Sequence, residues 1–244
     1  MDRNDDLTED VIYGGRVHLR QPRRGYRVNA DTLLLAAAVA PGKRLIELGC
    51  GVGGALLAVA SRFADARLVG LERDPEFAAL ARANIAASPW PDRVSVMEGD
   101  ALAPPDLGTF EGVFFNPPFD PPGEGRAPAA SRTATHVADQ PLGAWIVAWS
   151  NRMTADAWLT LIQRPQRLPE ILSSFDGRLG AVDIFPVRPF AGAPARRLIV
   201  RARKGSRAPL QLWKGLDLHP GDGADKHTPE AEAILRGEAF IWSA

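Results

Sequence analysis

From Lys43 onward the apolar positions of this chain alternate between two periods. Short runs of β-forming residues are separated by longer stretches in which apolar residues recur every three to four positions. Residues 44–48, 67–71, 93–97, 113–115, 157–162, 181–186 and 197–203 read as seven strands. Residues 55–63, 75–87, 141–151, 168–175 and 229–236 read as helices. This alternation predicts an α/β fold with a mostly parallel seven-stranded sheet and helices on both faces. Trp145 and Trp149, four apart on one helix, read as core packing. Upstream, residues 33–40 read as a helix with Asp31 as its N-cap. Residues 13–19 and 26–29 read as short strands around a turn at 21–25, and residues 210–218 as an edge strand.

Composition adds little to that frame, and charge distribution adds more. Lys+Arg and Asp+Glu both total 29 in 244 residues, so net charge selects no partner. The first ten residues carry Asp2, Asp5, Asp6, Glu9 and Asp10 against Arg3 alone. Residues 1–12 are therefore expected to be an acidic flexible tail, and residues 13–244 a single domain. Basic residues cluster in 16–27 and 196–204, as a polyanion footprint would require. Cys50 is the only cysteine, which excludes an internal disulfide and a multi-cysteine zinc site. No signal-peptide pattern and no membrane-length apolar run occur, so a soluble cytoplasmic protein is expected.

The candidate chemistry begins at the fourth strand. Val113–Phe115 runs into Asn116-Pro117-Pro118-Phe119. Two prolines end the ladder, and Pro117 biases Asn116 away from helical geometry. The result is a stiff turn that holds an amide at the carboxyl end of a strand, where ligands of open α/β sheets bind. A fixed amide, a fixed carbonyl and a ring suit a planar group bearing an amino nitrogen. The Pro-, Gly- and Ala-rich segment that follows, with Arg126, Arg132 and His136, is long enough to read as a substrate-side loop over 119–139.

Gly49-x-Gly51-x-x-Gly54, with Glu72 about 20 residues on, matches a dinucleotide fingerprint. An NAD-dependent oxidoreductase is therefore one reading. Glu47 opposes it, because a carboxylate two residues before the first glycine repels a pyrophosphate and attracts a cation. Asp100 ends the third strand as a further acid. Three strand-end acids without a phosphate-binding base fit S-adenosylmethionine, which carries an ammonium, a sulfonium and a ribose but no phosphate.

Together, Glu47-Leu-Gly-Cys-Gly-Val-Gly, Glu72, Asp100 and Asn116-Pro117-Pro118-Phe119 resemble the class I methyltransferases of the small-domain, Asn-Pro-Pro-Tyr/Phe type. The resemblance runs from about Gly14 to the C-terminus. Residues 25–31 and 194–205 are similar to the bacterial group that includes tRNA(Val) adenine-N6 methyltransferases. It implies a Rossmann-like fold and an S-adenosylmethionine-dependent N-methyltransferase acting on RNA, most specifically tRNA, with no metal and no membrane partner. The implied cofactor residues are Glu47, Gly49, Gly51, Gly53, Glu72, Arg73, Asp100, Ala101 and Asn116. Asn116, Pro117 and Phe119 are the implied catalytic residues. Arg24, Asp31, Arg126, Arg132, Arg196 and Arg197 are the implied substrate contacts. The related guanine-N2 rRNA enzymes often have Phe where this chain has Phe119. Guanine-N2, a protein glutamine amide and a catalytically silent RNA-binding module therefore stand as alternatives.

Overall fold

A computed structural model describes residues 6–25, 27–103, 105–117 and 142–242. The chain opens with a hairpin. β1 (Leu7–Ile12) pairs antiparallel with β2 (Val17–Pro22), from Leu7 opposite Pro22 to Ile12 opposite Val17. Over residues 7–12 this replaces the expected tail, and it corrects the expected strand over 13–19, because Tyr13, Gly14 and Gly15 form the reversal at positive φ. Of the described acids here, Asp6 and Glu9 are exposed, but Asp10 is held by the protein. The Asp10 carboxylate accepts from Thr8 Oγ1 at 2.6 Å, Gln21 Nε2 at 3.0 Å and Arg27 at 2.9 Å. These bonds, that from Thr8 first, hold its carboxyl below the usual range.

α1 (Ala30–Ala38) is capped by Asn29 rather than by Asp31. The Asn29 side chain accepts from the Thr32 amide and Thr32 Oγ1 accepts from the Asn29 amide, a reciprocal box that frees Asp31 for another partner. The far end of α1 is closed by the C-terminal segment. There the Ile241 amide donates to Ala37 at 3.3 Å and Trp242 Nε1 to Ala38 at 2.6 Å.

The sheet is built from β3 (Arg44–Leu48), β4 (Arg67–Glu72), β5 (Val94–Glu98), β6 (Phe110–Phe115), β7 (Met153–Gln163), β8 (Leu179–Phe190) and β9 (Arg197–Lys204). Two short strands, β10 (Gln211–Leu212) and β11 (Leu216–His219), add to β8. They replace the single edge strand expected over 210–218. Between them, Gly215 lies at φ 79, with Pro186 O only 2.2 Å from where a Cβ would stand. The strand order is β10-β8-β9-β7-β6-β3-β4-β5, and β9 alone runs antiparallel to its neighbours.

Alternation along the strands divides the core. Leu45 and Phe114 join a cluster with α1, α2 (Gly54–Arg62), α3 (Pro75–Ala86) and α6 (Pro229–Leu235). Ile46, Leu48, Val113 and Phe115 join a second cluster with α4 (Leu142–Ser150) and α5 (Leu168–Phe175). The period of two thus sends neighbouring residues to opposite helical layers. Trp149 is fully buried in the second cluster, and Cys50 packs against Gly70, where a Cβ would meet its Sγ at 2.6 Å.

Candidate active site

β3, β4, β5 and β6 are mutually parallel, so their carboxyl ends share one edge of the sheet. The chain passes outward from β3 through β4 to β5, then returns to place β6 on the other side of β3. The crevice at that reversal is flanked by the turns after β3 and β6. Leu48 pairs with Phe115, so Gly49 and Asn116 leave the sheet side by side.

Three glycines make the first turn possible. Gly49, Gly51 and Gly53 have φ of 66, 54 and 87, values that an L side chain resists. The Gly49 and Cys50 amides both donate to Leu71 O, at 2.7 and 3.1 Å. The Gly51 amide donates to Glu72 Oε2 at 2.8 Å, and the Asp74 amide to Glu72 Oε1 at 2.9 Å. Each Glu72 oxygen keeps further acceptor capacity. Asp74 in turn caps α3, whose Glu76 and Phe77 amides donate to its Oδ1. Gly53 stands at the N-cap of α2 and offers no side-chain acceptor to its first amides.

Glu47 faces this turn from within β3. It is 4% exposed, and its Oε2 has no hydrogen-bond partner among the described residues. Burial raises its carboxyl well above the usual range, the Leu56 amide opposes that rise, and Glu72 adds to it by repulsion. Such a group is relieved by a cation or by a proton. The same acids, after burial itself, push the Cys50 thiol well up, which removes it as a nucleophile.

At the end of β5, Asp100 Oδ1 accepts from the Leu102 amide at 2.9 Å, which closes a tight turn. Ala101 is buried, and its carbonyl accepts from Trp149 Nε1 at 2.7 Å. Trp149 therefore anchors the Asp100 turn as well as filling the core. Arg73, next to Glu72 in sequence, is exposed. Trp145 was missed as a site residue. Its ring packs on Phe115 at 5.8 Å and lies against Gly49, 3.6 Å from where a Cβ would be. The helical spacing of Trp145 and Trp149 gave no sign of this, since it describes one face of α4 and not what meets that face.

Asn116 follows β6 directly, with its Oδ1 buried and without a hydrogen-bond partner among the described residues. Pro117 is buried beside it. Phe119, Arg126, Arg132, His136 and the 119–139 loop lie outside the described residues.

Among the described residues, the crevice thus offers an uncompensated carboxylate, a second carboxylate with spare acceptor capacity, close backbone approach at three glycines and an unpaired amide oxygen. No lysine or arginine joins Glu47 in the glycine turn. This donor set fits S-adenosylmethionine and does not fit a pyrophosphate. Among the described residues no cluster of metal-ligating side chains occurs, and no helix is long and apolar enough to cross a membrane.

The expected substrate residues divide. Arg24 and Arg196 are exposed. Asp31 and Arg197 are brought together instead, with Arg197 Nε donating to Asp31 Oδ2 at 2.8 Å.

A family model for the methyltransferase small domain matches residues 26–160. A tRNA1(Val) (adenine(37)-N6)-methyltransferase from Porphyromonas gingivalis is 31% identical over 232 residues, covering 89% of this chain and 91% of that protein. One from Aeromonas hydrophila is 30% identical over 192 residues, 77% of this chain and 81% of that protein. Among solved structures, a predicted O-methyltransferase from Agrobacterium tumefaciens superposes with a TM-score of 0.71 at 31% identity, covering 86% of this chain and 97% of that one.

Proposed function

The chain belongs to the methyltransferase small-domain family and is an S-adenosylmethionine-dependent methyltransferase, and on that premise we propose that it methylates the exocyclic N6 of an adenine in tRNA. The observation that carries this reading is the Asn116 Oδ1 at the carboxyl end of β6, buried and without a partner among the described residues, with Pro117 next in sequence. Two acceptors adjacent in sequence, Asn116 Oδ1 and Pro117 O, suit a group with two N–H donors, as an exocyclic amine has and a hydroxyl lacks. Relatives at about 30% identity that carry the adenine-N6 name support the choice of base.

When bound, S-adenosylmethionine supplies an electrophilic methyl carbon on a sulfonium. Glu47 would take its ammonium, which answers the uncompensated carboxylate. Glu72 would accept from the ribose hydroxyls, with its oxygens oriented by the Gly51 and Asp74 amides. Asp100, set by its bond from the Leu102 amide, would face the cofactor's adenine amino group, with Ala101 and Arg73 flanking.

The lone pair of an adenine amino nitrogen is delocalised into the ring and attacks poorly. Acceptance of its two N–H bonds by Asn116 Oδ1 and Pro117 O favours the pyramidal form, in which the lone pair is available. Positioning and electrostatics are then the protein's main contribution. The nitrogen would bond to the methyl carbon as that carbon's bond to sulfur breaks, leaving the sulfur as a neutral thioether, and the proton would then pass from nitrogen to solvent, so no strong base is required. Phe119 would stack on the target base. A base in a loop costs less to unstack than one in a duplex, which suits an RNA loop as substrate.

The test is mass spectrometry of nucleosides in tRNA and rRNA from a deletion strain and its parent. Loss of N6-methyladenine from tRNA is expected. Loss of a methylated guanine from rRNA instead, or an unchanged RNA profile, would overturn the assignment.

A further inference from the structure

The sheet edge that carries Asn116 holds a second concavity further along. β7 runs parallel to β6 and ends at Gln163, β8 ends at Phe190, and β9 starts at Arg197. A cleft of about 490 Å³ opens between these ends. Pro165, Phe190 and Pro194 give it rigid apolar walls, and Arg164, Arg196 and Arg197 stand around them. Among the described residues no acid lines it. Arg197 is met by Asp31 from outside the cleft, and Arg196 is exposed at its rim. Phe190 is half-buried, and Pro194 and Arg196 are exposed, so ring and charge are both accessible from solvent.

A flat apolar wall beside guanidinium groups matches the two halves of a nucleotide. The base stacks on a ring, and the phosphodiester pairs with the arginines. The position agrees. Strands β7, β9 and β8 succeed β6 in that order, so the cleft lies about 5 to 15 Å along the edge from Asn116, at about 4.8 Å per strand. One or two nucleotides of an extended strand cover that span.

We propose that this cleft is a subsite for the nucleotide flanking the target base, with Phe190 as its stacking platform and Arg196 as its phosphate contact. This rests on the reading of the substrate as RNA. A single fixed acceptor turn at Asn116 binds any amino-bearing base, so a flanking subsite also supplies selectivity that the turn itself lacks.

The test uses the full chain with unmodified tRNA. Phe190→Ala and Phe190→Leu are each expected to raise KM for tRNA about tenfold, as loss of one base stack implies. The leucine variant keeps apolar volume, so a rise confined to the alanine variant would report packing and overturn the subsite. Arg196→Ala is expected to raise KM and to lower the slope of log affinity against log salt by about 0.7 to 0.9. Cofactor affinity by calorimetry should stay within twofold in all three. Unchanged KM and salt slope on a tRNA that the unaltered enzyme methylates would overturn the subsite and leave the RNA reading intact. Absence of RNA methylation by the unaltered enzyme, with salt-independent binding of a protein substrate, would overturn the reading and the subsite together.

Discussion

Arg197 Nε donates to Asp31 Oδ2 at 2.8 Å across 166 positions of sequence, with side chains 26% and 14% exposed. The contact ties the first turn of α1 to the first residue of β9. Asp31 is available for it because Asn29 holds the cap. The two residues therefore act on each other, and Arg196 is the exposed partner of this basic pair in sequence. Asp31→Ala is expected to cost about 1.5–3 kcal/mol, the range for a hydrogen bond to a charged group. Urea unfolding of both single variants and the double variant measures the coupling. A coupling near zero would show the pair to be idle.

Asn116→Ala removes one of two acceptors aimed at the reacting nitrogen. By analogy with loss of one fixed hydrogen-bonding group, turnover is expected to fall about 10²- to 10³-fold. Cofactor affinity should change little, since Glu47 and Glu72 remain. Single-turnover methylation together with calorimetry separates the two quantities, and near-normal turnover would dismiss the role of Asn116.

Glu47 governs a pH dependence with a definite sign. Burial first, and repulsion by Glu72, raise its folded carboxyl above its unfolded value. Its contribution to stability is therefore fully present below the unfolded value and lost as pH rises through the folded one. Binding of an ammonium needs the charged carboxylate, so cofactor binding should release a proton below the raised value. Affinity should accordingly grow with pH over that window. Glu47→Gln should stabilise the ligand-free protein at neutral pH, weaken cofactor binding and abolish the proton release. Calorimetry in two buffers of different ionisation enthalpy measures that release directly. Equal release by both proteins would exclude Glu47 as its source.

Trp149→Phe keeps an aromatic ring in the core and deletes the donor to Ala101 O, which the native Nε1 reaches at 2.7 Å. Leaving that buried carbonyl unpaired should cost about 1–3 kcal/mol. Because the bond anchors the Asp100 turn, KM for the cofactor should rise with kcat nearly unchanged. A loss of stability without any change in KM would confine Trp149 to packing.

The chain's own chemistry determined whatever depends on neighbours in sequence. Gly49, Gly51 and Gly53 allow the turn because no side chain resists positive φ, and Glu72 follows at a spacing that one helix and one strand impose. Two prolines after Asn116 stiffen the turn wherever it is placed. The period-two runs told strands from helices and exposed the parallel sheet. Local pattern carries no record of partners distant in sequence. The strand Leu7–Ile12 looked like a tail because its acids are polar, and only Gln21 and Arg27 show that Asp10 is bound. Asp31 looked like a cap, but Asn29 caps α1 and the fold brings Arg197 to Asp31. Trp145 and Trp149 looked like core alone, and tertiary packing set one against Gly49 and the other on Ala101. Helical and strand propensities act over a few bonds, whereas burial, desolvation and ion pairing depend on which distant residues the fold brings within a few ångströms.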